Sequence, residues 1–180
     1  MLGLLRRGRH ERAGFQLYGS AVAAARDPVF YTAFDVPDTL DGRFDLVGLY
    51  AFLLIRRLRH APEPGPALAQ AVFDAMFSDM DNSLREMGVG DLSVGKRVRV
   101  MWEALHGRSA AYEAALAGDD LPALGAALAR NLWRGAPVPA SSVVAMSRLV
   151  RTQDAHLAKQ SLGPLASGRV SFLPVSEAIR

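Results

Sequence analysis

Apolar residues recur at helical spacing along almost the whole chain. Phe15, Tyr18, Val22 and Ala25 form the first such face. Asp27 and Pro28 then supply an N-cap and a first-turn proline for a short helix carrying Phe30, Tyr31 and Phe34, which must stop near Pro37. Val36 to Gly42 is turn chemistry, with Asp41 read as the N-cap of the next helix and Asp45 in its first turn, where a negative charge suits the dipole. That helix, apolar from Phe44 to Ile55 apart from Asp45, runs to about Arg59 and reads as a core helix.

Pro62, Pro64, Gly65 and Pro66 mark the clearest linker. The helix after it covers roughly 67–87. Phe73, Met76, Phe77, Met80, Leu84 and Met87 gather on one side, and Asp74, Ser78, Asp81 and Arg85 form a flanking stripe expected to be half-buried. Gly88 suits a left-handed C-cap, and Ser93 is read as capping a helix to about His106. Two further segments are expected, broken at Gly107 and near Gly118. The second has a leucine stripe at 121, 124, 128 and 132, with Trp133 anchoring its end. Ser141 or Ser142 is read as the cap of a last helix with Val143, Met146, Val150 and Leu157 facing inward, stopping at Gly163 and Pro164. The tail from Gly168 to Pro174 is too short and isolated to count as a strand.

The expectation is therefore an all-α, single-domain bundle of about seven or eight helices. It divides into a basic, flexible N-terminus at 1–14, a helical domain at 15–166 and a C-terminal tail at 167–180. The chain has 180 residues, half of them hydrophobic and 22% charged, enough to bury a real core without a partner. Without cysteine there is no disulfide, thiolate metal site or cysteine nucleophile, and a reducing compartment is compatible. The apolar start precedes Arg6, Arg7, Arg9 and Arg12, the reverse of a secretory signal, and no apolar stretch approaches the roughly 20 residues that span a bilayer. These arginines suit anionic lipid or nucleic acid, and equally a solvated terminus; five aspartates between 27 and 45 predict an acidic patch elsewhere.

Two dense polar blocks, Val36 to Asp45 and Phe73 to Asp91, exceed what a plain helical bundle requires. Asp74, Asp79 and Asp81 invite a magnesium reading, but Asp79 points away from the face shared by the other two. Pairing with arginine is the better reading: Arg85 follows Asp81 by four residues, and Arg43 is placed to cross to Asp74 or Asp81. Such pairs either fix how helices dock or present a rigid surface to a partner. Gly90 to Arg97 partly matches a P-loop, but Arg97 stands where Ser or Thr is needed and a helix precedes it, so a helix-to-helix turn is preferred. His10, His60, His106 and His156 are widely separated in sequence, and no G-x-S-x-G occurs. Phe30 and Tyr31 lie beside the acidic turn, where packing and binding readings both stand.

The chain resembles the ubiquinol-cytochrome c chaperone family, strongly over 15–112. The resemblance rests on Arg26-x-Pro28-x-Phe30-Tyr31, on the block from Val36 to Asp45, on Phe73-Asp74-x-Met76-Phe77-x-Asp79-Met80-Asp81, and on the run from Leu84 to Lys96; the tail at 168–172 is also similar to family endings. Tyr50 departs from the histidine expected in many relatives. The resemblance implies a non-catalytic, cofactor-free assembly factor that binds newly made cytochrome b during assembly of ubiquinol-cytochrome c reductase. It implies a cytoplasmic place of action, peripheral to the inner membrane, with a ribosome and a small partner protein as further contacts. The expected protein-binding residues are Phe30, Tyr31, Pro37, Asp38, Asp41, Arg43, Asp74, Asp79, Asp81, Arg85, Glu86 and Asp91. Two other classes stand beside it: a helical enzyme holding magnesium and a prenyl diphosphate through Asp74 and Asp81, and a membrane-surface or nucleic-acid module using the N-terminal arginines.

Overall fold

The long apolar run from Phe44 to Ile55 has no polar face to offer water, so the helix carrying it must be surrounded. In the computed structural model, which describes residues 2–178 and their side chains except those of 2–7 and Leu92, it is the central element. Nine helices occur among the described residues, and no strand: α1 (Leu2–Ala25), α2 (Val29–Thr32), α3 (Leu40–Arg59), α4 (Gly65–Glu86), α5 (Asp91–Ala117), α6 (Leu121–Leu132), α7 (Ala140–Ala158), α8 (Leu162–Ala166) and α9 (Val175–Ala178). The all-α bundle expected from periodicity is the observed fold. No helix among the described residues is long and apolar enough to cross a membrane.

Helix α3 packs against α1, α4, α5, α6 and α7, and Leu46, Leu49, Tyr50, Leu53, Leu54 and Leu58 are buried in the result. Helices α1 and α4 share the closest interface, because Gly14 brings the two backbones together: a Cβ there would sit 2.6 Å from the carbonyl carbon of Ala71. Residues 8–14, expected to be a flexible end, are therefore part of α1, and Ala13 is buried. The side chains of Arg6 and Arg7 lie outside the described residues; Arg9 and Arg12 are exposed.

Several boundaries differ from the sequence reading. Helix α5 passes through Gly107 without a break and starts at Asp91 after Gly90, so Ser93 is not its cap. Glycine costs about 1 kcal/mol in a helix interior, less than the burial of Leu105, Tyr112 and Ala115 on either side returns. Thr39, not Asp41, caps α3, its hydroxyl accepting from the Gly42 amide at 3.1 Å. Pro139 occupies the N-cap of α7 with no side-chain bond, and the Ser142 hydroxyl donates instead to Asp35 at 2.8 Å. Helix α7 ends at Ala158, short of Gly163.

Trp133 does anchor the end of α6: it is buried, and its indole N–H donates to the Phe34 carbonyl at 3.1 Å. The extended tail is tied to α7 by two glutamine amides that imitate strand pairing. Gln153 donates to the Leu173 carbonyl at 2.7 Å and accepts from its amide at 3.1 Å, and Gln160 does the same for Ser171 at 2.6 and 3.0 Å. Tyr50 is fully buried, edge-on to Phe30 and Phe172.

Candidate functional site

The two polar blocks, far apart in sequence, converge on one groove. The first enters as the turn before α3, where the Val36 amide donates to the Phe30 carbonyl at 3.0 Å and Thr39 caps the helix. The second enters at the end of α4. Gly88, at φ +80°, closes that helix with the Val89 amide on the Leu84 carbonyl at 3.0 Å and the Gly88 amide on the Arg85 carbonyl at 2.9 Å. This paired closure requires a left-handed residue that only glycine adopts without strain. It turns the chain into α5 and leaves Met87 exposed.

Between them lies an open groove of about 1420 Å³. Tyr18 and Val22 of α1, Tyr31, Leu40 and Phe44, Met80 and Leu84 of α4, and Val100, Met101 and Ala104 of α5 give it apolar walls. Three lining residues are unusually open for their type: Leu40 is 66%, Val100 58% and Met87 52% exposed. A folded chain leaves scattered apolar side chains in water, whereas these three share one concavity.

The charged groups around the groove are mostly satisfied by one another. Asp45, placed by the sequence in the first turn of α3 where it suits the helix dipole, is buried and bridges three elements. Arg108 of α5 pairs with its Oδ1, and Arg134, from the loop after α6, reaches its Oδ2 at 2.8 Å and Asp41 at 2.8 Å. Arg134 adopts a left-handed conformation at φ 51° to do so. Arg43 does not cross to Asp74 or Asp81; it pairs with Asp38 in its own turn at 2.7 Å, and that bond holds the Asp38 carboxyl below its ordinary range. Asp79 accepts from the Tyr18 hydroxyl at 2.7 Å. Burial, and then that bond, raise the Tyr18 phenol far above its ordinary value. Burial, followed by Asp38, raises Tyr31 as well.

Of the residues expected from sequence, Tyr31, Asp38, Asp41, Arg43 and Asp79 line the groove. Phe30 does not: it is wholly buried against Phe34 and Tyr50. Pro37 is half-buried beneath the turn, its carbonyl accepting from the Thr39 amide at 2.8 Å. Asp74 is exposed and takes the Gln70 amide at 2.7 Å. Arg85 pairs with Asp81 at 2.6 Å, as its spacing predicts, and also with Asp91, outside the groove lining; Glu86 is exposed beside them. The polar stripe of α4 is thus more open than expected, with only Asp81 half-buried. Sequence reasoning missed Arg108 and Arg134, whose isolated positions give no sign of a shared partner, and the exposed Leu40 and Val100, which periodicity cannot distinguish from core.

A second, smaller cavity of about 440 Å³ lies between α3, α4 and α5. His60 and His106, distant in sequence, both line it, His106 stacked on Trp102 at 5.3 Å. Arg56 on its wall pairs with Glu113 and Asp154, each at 3.2 Å. Burial raises the Asp154 carboxyl above its ordinary value despite Arg56. Asp74 and Asp81 are held on different partners, and no cluster of three histidines or carboxylates able to hold a metal occurs among the described residues.

Fold and groove together define an all-α bundle with an open, apolar-walled groove. Residues 32–172 match the family described as ubiquinol-cytochrome C chaperone, and the chain belongs to that family. It is similar to ubiquinol-cytochrome-c reductase complex assembly factor 1 of Xenopus laevis, with 24% identity over 67% of this chain and 60% of that protein. The mouse protein of the same description is 23% identical over 68% of this chain and 40% of its own length. The chain therefore matches less than two thirds of either relative. The crystal structure of the Cbp3 homolog from Brucella abortus superimposes with a TM-score of 0.84 at 37% identity, covering 98% of both chains.

Proposed function

We propose that this protein is a non-catalytic assembly factor that holds newly made cytochrome b, through the groove between α1, α4 and α5, while ubiquinol-cytochrome c reductase is assembled. The observation that carries this is the placement of Leu40, Met87 and Val100, exposed apolar residues that line the one groove where both polar blocks meet. Membership of the chaperone family and the names of the two assembly factors support the choice of complex. A client that is later inserted into a membrane carries apolar segments that must be shielded from water beforehand, and such walls supply that shield. The proposed place of action is the cytoplasmic face of the membrane. There the exposed Arg9 and Arg12 of α1 offer a contact to ribosome or lipid, and a small partner protein can share the surface.

A photo-crosslinking amino acid placed at Val100, with Val144 of α7 as the exposed apolar control, tests the reading in the native host. Cytochrome b crosslinked from 100 and not from 144 is the expected result. Equal labelling from both positions, or none from 100, overturns it.

A further inference from the structure

Resting on the groove as the client site, we propose that the segment it takes is an amphipathic helix whose polar positions are acidic. The groove lining carries six cations and three carboxylates, with Asp45 beneath. Arg43 is neutralised by Asp38, and Arg108 and Arg134 by Asp45 and Asp41. Arg26, Lys96 and Arg97 remain without an ion pair among the described residues. Asp38, Asp41 and Asp45 are thus neutralised from within; Asp79 keeps its charge, held only by the neutral Tyr18 hydroxyl, so three free cations face one carboxylate and the net charge left for a partner is positive.

The arrangement on α5 specifies more than sign. Lys96, Arg97, Val100, Met101, Ala104 and Arg108 follow one another at helical spacing, so they form a single face of α5, and that face lines the groove. Cations stand at its N-terminal end and apolar side chains follow over the next two turns. A helix laid into the groove meets Val100, Met101 and Ala104 with an apolar stripe and Lys96 and Arg97 with carboxylates at one edge. Methionines at 80, 87 and 101 give walls that adjust to different apolar side chains. An anionic bilayer also pairs basic with apolar groups, but a flat surface cannot reach the walls of a concavity.

Two labelled synthetic helices test this against the full chain by fluorescence anisotropy. They share one leucine stripe at i, i+3, i+4 and i+7 and differ only in having Glu or Lys at the polar positions. The Glu peptide is expected to bind roughly tenfold more tightly, three modest exposed charge contacts being enough for that, with the advantage shrinking as salt rises. The triple variant Arg26→Glu, Lys96→Glu, Arg97→Glu, all at exposed positions, is expected to reverse the preference. Equal or better binding of the Lys peptide overturns the proposal, as does an unchanged preference in the triple variant. So does capture by phosphatidylglycerol vesicles through these residues in place of the peptide. If cytochrome b still crosslinks at position 100 in the triple variant, the charge inference falls and the groove reading stands. If the Glu peptide binds selectively and cytochrome b never crosslinks, the groove reading falls and its charge selectivity stands.

Discussion

Asp45 and Arg134, 89 residues apart in sequence, meet at 2.8 Å, and with Arg108 on the other carboxylate oxygen they tie α3, α5 and the loop after α6 into one wall of the groove. The Asp45 side chain is 1% exposed and that of Arg108 18%, so this pair is shielded from the water that weakens surface ion pairs. Arg134 is 45% exposed and contributes less.

Asp45→Asn is therefore expected to leave Arg108 as an uncompensated charge and cost about 3 kcal/mol, or roughly 6–12 °C in melting temperature for a chain of this size. Arg134→Ala is expected to cost at most about 1 kcal/mol. Thermal unfolding followed by circular dichroism separates the two; equal losses would mean that the buried bridge is not what holds the wall.

Gly14 and Gly19 lie on the same helix and predict opposite outcomes. A Cβ at Gly14 would press on the backbone of Ala71, which cannot rotate away, whereas nothing lies within 4 Å of one at Gly19. Replacing helical glycine by alanine gains about 1 kcal/mol, but overpacking costs about 1–3 kcal/mol, so Gly14→Ala should lower stability and Gly19→Ala should raise it. Denaturant midpoints of the two variants check the sign of each.

In the groove, binding and folding should separate. Leu40→Glu and Val100→Glu change exposed side chains and are expected to move stability by no more than about 0.5 kcal/mol while abolishing recovery of cytochrome b with the tagged protein. Asp79→Lys should cost about 1 kcal/mol more, because the Tyr18 hydroxyl loses its acceptor. Full client recovery by the folded Leu40→Glu, Val100→Glu double variant would remove the groove from the mechanism.

The tyrosines set an alkaline limit. Burial pushes the Tyr112 phenol up to about 12, and burial also raises Tyr18 and Tyr50. A raised folded-state value means that the neutral phenol is favoured by folding. The stability this contributes is fully present below the unfolded value near 10 and is lost as pH rises through the folded value. Absorbance at 295 nm should therefore show these three buried phenols largely un-ionised at pH 10.5, followed by cooperative ionisation and unfolding near pH 12. Ordinary titration of all four tyrosines around pH 10 without unfolding would contradict it.

Helical periodicity, the run at 44–55 that is apolar apart from Asp45, and the proline-rich linker determine an all-α bundle around one central helix, since each follows from local geometry and from excluding apolar surface from water. The same local logic places the Arg85–Asp81 pair and the left-handed Gly88, both confined to a few neighbouring residues. It fails where the deciding interaction is distant. That Phe30 is core while Leu40 is open, that Arg43 stays with Asp38, and that Asp45 recruits Arg108 and Arg134 all depend on which helices pack together. A sequence lists charges without their partners. Tertiary packing decided which are neutralised internally and left Arg26, Lys96 and Arg97 beside exposed apolar residues, turning an apparently acidic region into a groove with a basic edge.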